Sequence, residues 1–304
     1  MAHIAAFGSY LPAKIVHNTE LAESLACDAD WILQASGIEE RRYASEDETV
    51  DFMAAKAGEN CLQRAGLSPD RVGMLIVSSG SGEMRFPGPG ASTAKRLGLG
   101  DAPAIDLPVA SCGGLFGMSI AAQLTAQYET ILVIASEKMS SVVAREPMDK
   151  NTAILFGDGA GACLITAASG GLRILDSVIH SDGSFAADLQ LSCGGTLQMN
   201  GRSVIMQASR KIPGAIREVL TRNQKTAAEI ACFLMHQANQ NLMDRVAKAL
   251  EVPTDRFYTN IRRYGNTSSA SMLIAASEWE SAQTGPICFA AFGAGFHWGA
   301  LLAE

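Results

Sequence analysis

The sequence has no basic excess, few aromatic residues and no long apolar run, and each shortage removes a class of function. Lys and Arg number 24 against 31 Asp and Glu, a formal net charge of −7 with a pI near 5.3. Nucleic acid and anionic membrane are thus disfavoured as main partners, because phosphate binding needs a basic face. No stretch of about 18 uninterrupted apolar residues occurs, so no membrane span is expected. The opening residues lack a charged n-region, and Gly8 and Pro12 arrive before any apolar run long enough for a signal peptide. The expected location is the cytoplasm. The seven cysteines (Cys27, Cys61, Cys112, Cys163, Cys193, Cys232 and Cys288) are odd in number and scattered, with no Cys-x-x-Cys pair and no histidine at ligand spacing. That pattern predicts reduced, mostly buried thiols and no metal.

The 304 residues are 48% hydrophobic and 18% charged, with a mean hydropathy of +0.12, ample for a large core. With 29 glycines and only 6% aromatics, close packing of helices on sheets is expected. Short apolar runs (Met74–Val77, Ala104–Leu107, Thr130–Ala135, Ala153–Phe156, Ala162–Ile165, Leu172–Leu175, Phe233–Met235, Ile287–Phe292, Gly299–Leu302) alternate with helical patterns at Glu48–Ala65, Gly114–Tyr128, Ser209–Arg222 and Asn241–Leu250. Such alternation predicts an α/β protein. The polar, Gly-rich stretch Ser181–Arg202 reads as a surface lid.

A weak internal repeat runs through the chain. In the first half a strand ending at Ala110 enters Ser111-Cys112-Gly113-Gly114 and a helix of small residues. In the second, Gly265-Asn266-Thr267-Ser268-Ser269 opens another helix, Ala270–Ser281. Ile154–Ile165 and Cys288–Leu302 share a strand, a Gly-rich bend and a returning strand. This divides the chain into halves 1–168 and 169–304, each presenting one elbow, with the elbows facing across a pseudo-twofold axis.

A residue at the tip of a strand-to-helix turn points into open space, and the helix N–H groups favour an anion there. A nucleophile fits such a place, and Ser111 and Cys112 both compete for it. His236, in Met235-His236-Gln237-Ala238-Asn239, is the one histidine between an apolar strand and a helix. Asn266 stands at the start of the second elbow. Gly157-Asp158-Gly159-Ala160-Gly161 does not read as a dinucleotide loop, because the following Ala162-Cys163-Leu164-Ile165 is a β run and not a helix.

Ser36-Gly37-Ile38-Glu39-Glu40-Arg41-Arg42-Tyr43, Phe86-Pro87, Phe156–Ala162, His236-Gln237-Ala238-Asn239, Gly265–Ser268 and Phe292–Gly299 together resemble β-ketoacyl-acyl-carrier-protein synthase III of the thiolase superfamily, nearly end to end and in order. The resemblance implies a thiolase fold, with two duplicated α/β halves in five αβαβα layers. It also implies a decarboxylative Claisen condensation through an acyl-enzyme. His236 and Asn266 match the pair that hydrogen-bonds the malonyl thioester carbonyl, and the backbone N–H groups at the nucleophile and at Ala294 would form a second oxyanion hole. Trp31 and Lys150 match the adenine-stacking positions of an acyl-CoA site. Gly201, Asn239 and Phe292 fall on substrate-contacting positions, and Phe86 on the residue that crosses a dimer interface. No resident cofactor is implied, since the CoA and carrier-protein phosphopantetheine thioesters are substrates. The expected partners are acyl carrier protein, acyl-CoA and a second copy of the chain.

The sequence also departs from that pattern. Counted without gaps from Asp106 or back from Ser119, the family's cysteine falls on Ser111, with Cys112 one residue later. The count favours Ser111, yet both residues have a glycine two positions on, and the local pattern does not decide between them. A serine needs a general base, for which His236 is the visible candidate. An oxyester would suit a specialised condensation, acyl transfer or hydrolysis, and a silent partner subunit is a further alternative. Ala35 stands where an arginine is expected and Lys150 where a second one is, a poorer planar partner, which predicts weak acyl-CoA use. Asn241 replaces a basic residue, leaving Arg202, Arg210, Lys211 and Arg245 as the expected patch for the acidic carrier.

Overall fold

Capping chemistry marks several helices along the chain, as on the 16-residue helix Val50–Ala65. The Thr49 hydroxyl accepts the Phe52 N–H, and Gly66 closes the other end at φ +63. The computed structural model describes residues 1–144, 148–192, 194–279 and 285–304. Its first half runs β1 (His3–Tyr10), β2 (Lys14–His17), α1 (Asn18–Leu25), α2 (Ala29–Ser36), β3 (Glu40–Tyr43), α3 (Val50–Ala65), β4 (Met74–Ser78), α4 (Pro89–Leu97), β5 (Ala104–Leu107), α5 (Gly113–Tyr128), β6 (Thr130–Lys138), α6 (Ser140–Val143), α7 (Lys150–Ala153) and β7 (Asp158–Thr166). The second half runs β8 (Leu172–Ser181), β9 (Leu189–Leu191), β10 (Leu197–Met199), α8 (Gly201–Arg222), β11 (Cys232–Met235), α9 (Gln240–Leu250), α10 (Ile261–Tyr264), α11 (Ser271–Glu278), β12 (Ile287–Gly293) and β13 (His297–Ala303).

The strand order repeats between the two halves. From the middle outward the first half reads β1-β7-β6-β4-β5, with the first two pairings antiparallel and the rest parallel. The second reads β8-β13-β12-β11 with the same sequence of pairings. The second half has no fifth strand in this sheet among the described residues, and in that place Phe257 makes a single parallel bridge to Phe233. The two sets meet through β1 and β8 at His3↔Arg173 and Ile4↔Leu172.

Three cores separate five layers. Helices α5 and α11 are apolar or small nearly all round, as a helix buried on every side must be. They pack between Ile76, Val133 and Ile165 of one sheet and Leu234, Phe289 and Leu301 of the other. The outer helix α3 covers the first sheet through Met53, Ala57 and Cys61, while α8 and α9 cover the second through Ile212, Ile216 and Val246. This is the αβαβα arrangement of the thiolase fold.

Several local expectations change. Ala153–Phe156 is not a strand: the Asp149 carboxylate caps a helical turn at Lys150–Ala153, leaving only an isolated bridge from Phe156 to Asn266. Ser181–Arg202 is not an irregular lid. Its described residues form a 3-10 turn and the β9–β10 hairpin, and α8, capped by Asn200, starts at Gly201, eight residues before the expected helix start at Ser209. The Asp188 carboxylate accepts from both Asn200 Nδ2 and Ser203 Oγ, folding the hairpin back onto that helix start. The expected helix Ala270–Ser281 is a 3-10 turn, Ser268–Ala270, followed by α11. Its terminal residue Ser281 lies outside the described residues, as does Cys193.

Candidate active site

Strand β5 delivers the chain to a tip at Ser111, which stands in the left-handed region at φ +64. A non-glycine residue there is uncommon and marks a constrained turn. Gly114 lets the helix behind the tip approach its counterpart, because a Cβ on it would lie 2.9 Å from the Ser269 carbonyl oxygen. Gly293 does the same for the β12–β13 turn, where a Cβ would fall 2.7 Å from that of Ser111.

The tip separates its two candidate nucleophiles. Ser111 lines a cavity of about 700 Å³, counted out to its mouth, together with His236 and Asn266. Cys112 is fully buried in the central core, where its thiol donates to the His297 carbonyl at 3.1 Å. Burial pushes that thiol well above its ordinary range, so it holds no thiolate at neutral pH. Adjacent residues of an extended chain entering a turn face opposite ways, and here the hydroxyl faces outward.

His236 directly follows β11 and is held by a backbone bond to the Ala290 carbonyl at 2.8 Å. Its Nδ1 lies 2.7 Å from Ser271 Oγ, which also accepts the Gln237 N–H and donates to the Ser268 carbonyl at 3.0 Å. With the serine hydrogen on that carbonyl, Nδ1 is the donor, and Nε2 keeps its lone pair for the cavity. Burial lowers the imidazole to about 4 against the opposing pull of the Ser268 carbonyl, so the ring is neutral at pH 7. Asn266 is fixed equally firmly. Its backbone is pinned through the Leu155 carbonyl and the Gly157 N–H, and its Oδ1 accepts the Ser268 N–H at 2.9 Å. The side-chain Nδ2, with two hydrogens, is what remains for the cavity that Asn266 lines.

Ser111 also borders a second chamber of about 420 Å³, walled by Met139, Phe156, Leu191 and Leu197 and closed by Ser268 and Ala294. Its apolar wall suits an acyl chain. Through Gly80, Ala110 and Ala294 it adjoins a wide groove beside Met84 and Asp106.

Of the remaining sequence candidates, Gly201, Asn239 and Phe292 line the first cavity with Ser111. Asn239 caps α9 and gives its Nδ2 to the Ala35 carbonyl at 2.9 Å. Trp31 is 39% exposed, and the Lys150 ammonium stands 5.9 Å from its ring centre. Phe86 is 84% exposed, and neither chamber includes it. Lys211 leaves the expected basic patch: Asp182 pairs with it at 3.0 Å and the Trp298 ring lies 3.8 Å beneath it. Sequence reasoning missed Ser271, the imidazole's partner, and Ser268. The repeat points only near the latter, since Ser111 stands two residues before its central helix and Ser268 three before its own, and it is their shared left-handed backbone that pairs them. Among the described residues no helix is long and apolar enough to cross a membrane, and no three potential ligands cluster for a metal.

A model of 3-oxoacyl-[acyl-carrier-protein] synthase III matches residues 105–183, and that of the family's C-terminal part matches residues 220–304. The chain is 35% identical to the β-ketoacyl-[acyl-carrier-protein] synthase III of Staphylococcus saprophyticus, over 98% of this chain and 97% of the relative. It belongs to the 3-oxoacyl-[acyl-carrier-protein] synthase III family. The synthase III of Chlamydia caviae is 33% identical over 99% of this chain and 96% of its own. The crystal structure of the Aquifex aeolicus synthase III superposes with a TM-score of 0.94 at 32% identity, covering all of both chains. As a synthase III, the protein is an acyltransferase of the condensing type.

Proposed function

We propose that this synthase III condenses an acyl primer with malonyl-acyl carrier protein through an oxyester on Ser111. The carrying observation is the tip itself, where the hydroxyl of Ser111 shares a cavity with His236 and Asn266 while the neighbouring thiol is sealed in the core. In acylation, Ser111 Oγ attacks the primer thioester carbonyl as its proton passes to His236 Nε2. The C–S bond breaks, and Nε2 returns the proton to the departing thiolate. In condensation, the bond from the malonyl methylene to its carboxylate breaks and CO₂ leaves. The electron pair forms an enolate whose oxygen is held by Asn266 Nδ2. The enolate carbon attacks the Ser111 ester, a C–C bond forms, the ester C–O bond breaks, and Ser111 Oγ takes up one proton from solvent.

The second chamber takes the primer chain. A second copy of the protein covers the groove beside it, in keeping with Phe86 and Met84 at 84% and 66% exposed and Ile105 at 46% on the free edge strand β5. The carrier protein meets Arg202, Arg210 and Arg245. Acyl-CoA is a poor donor, because Ala35 and Lys150 offer no guanidinium to the nucleotide. Intact-protein mass after incubation with acyl-CoA and acyl-carrier-protein panels tests the reading. The acyl adduct is expected on wild type and Cys112→Ala and absent from Ser111→Ala; an adduct that survives in Ser111→Ala and disappears from Cys112→Ala overturns it.

A further inference from the structure

Ser268 is the counterpart of Ser111 in the second elbow, left-handed like it, and its buried hydroxyl carries a hydrogen that no described residue accepts. The residue is 2% exposed and, like Ser111, holds a left-handed backbone, at φ +47. Its N–H goes to Asn266 Oδ1, its carbonyl accepts from Ser271 Oγ, and its Oγ accepts the Ser111 N–H at 3.1 Å. Among the described residues no acceptor takes the hydroxyl hydrogen. Buried hydroxyls do not ordinarily go without a partner, and this one borders the second chamber together with Ser111 and Ala294.

We propose that Ser268 is a further catalytic residue, whose hydroxyl donates to the carbonyl oxygen of the acyl group reacting at Ser111. The inference rests on the acyl-enzyme reading above. As that oxygen gains charge during attack, it needs donors already in place. The Ser111 N–H, an obvious backbone donor at the nucleophile, is engaged by Ser268 Oγ. That bond polarises the hydroxyl and makes it the stronger donor to the next acceptor in line. The second half thus supplies a side-chain donor to the primer's oxyanion and, through Asn266, an amide donor to the malonyl oxygen. One residue sequence, Asn266-Thr267-Ser268, serves both half-reactions.

Two rates separate this role from scaffolding: acylation by an acyl-carrier-protein thioester, followed by rapid quench and intact mass, and release of CO₂ from malonyl-carrier protein without primer. Ser268→Ala and Ser268→Gly are compared with wild type, the glycine being at ease in the left-handed backbone if alanine disturbs folding. Acylation is expected to slow about a hundredfold in both variants, the usual effect of losing one oxyanion donor, with CO₂ release within threefold of wild type. Acylation within threefold of wild type in both variants overturns the proposal, because the freed Ser111 N–H then suffices. An equal fall in both rates also overturns it, as the mark of a scaffold. A wild-type enzyme that carries no acyl group on Ser111 removes the acyl-enzyme reading itself, and this inference with it.

Discussion

The two elbows share a backbone and differ in what they offer. Each brings a strand or bridge into a left-handed serine, Ser111 at φ +64 and Ser268 at φ +47, and then into a central helix buried on all sides. They touch through the bond from the Ser111 N–H to Ser268 Oγ. In the first elbow the tip presents the Ser111 hydroxyl to the cavity and its neighbour Cys112 fills the core. In the second, Asn266 lines the first cavity, and both Ser268 and Ser271 are tied into the network around His236. Duplication supplied two equivalent turns. Separate chemistry followed because side chains one and two residues from a tip face different chambers.

The comparison can be broken at several points. Removing the attacking group has the largest effect: Ser111→Ala is expected to lower condensation at least a thousandfold, measured as 3-oxoacyl product, whereas Cys112→Ala stays within a few fold. The second half then divides by step. His236→Ala should slow acylation by about 10²- to 10⁴-fold. Asn266→Ala should slow CO₂ release about a hundredfold with far less effect on acylation, and equal losses in both assays would deny the division of labour.

A smaller effect concerns pH. His236 is lowered to about 4 in the fold, against about 6.5 in an unfolded chain, so the unfolded state takes up its proton first as the solution is acidified. This group's contribution to stability is full above about pH 6.5 and is lost as pH falls toward 4, by roughly 3 kcal/mol. Asp158, raised to about 6 by burial, acts in the opposite sense between about 6 and 4. The histidine's share is therefore the difference between wild type and His236→Gln in Tm against pH, and parallel curves would contradict it. The smallest effect separates two cations: Arg245→Glu should raise the KM for carrier protein severalfold, while Lys211→Ala, whose ammonium is already paired, should leave it near wild type.

Much of this was legible in the sequence. The alternating apolar runs set the α/β class, and the two elbow segments announced the repeat that the strand order displays. Ser111 and His236 stood out because each follows an apolar run, and Asn266 because it opens the second elbow. The conflict between Ser111 and Cys112 did not resolve there. Which of two adjacent residues faces outward depends on one positive φ, and that φ is set by contact with the other half at Ser268. The β9–β10 hairpin was missed for a related reason. Its polar, Gly-rich sequence resembles a loop, and only the Asp188 carboxylate, bonded to Asn200 and Ser203, folds it over the chambers. Lys211 looked available as a charge because sequence does not show a tryptophan ring beneath it.

The sealing of Cys112 has a consequence for chemical vulnerability. A reactive thiol at such a tip would be open to peroxide, and to haloacetamides and Michael acceptors that trap sulfur. Here the exposed atom is a hydroxyl oxygen, which those agents leave alone, and the thiol of the neighbouring Cys112 lies buried in the core. Inhibitors that act by capturing a catalytic thiol should pass the protein by.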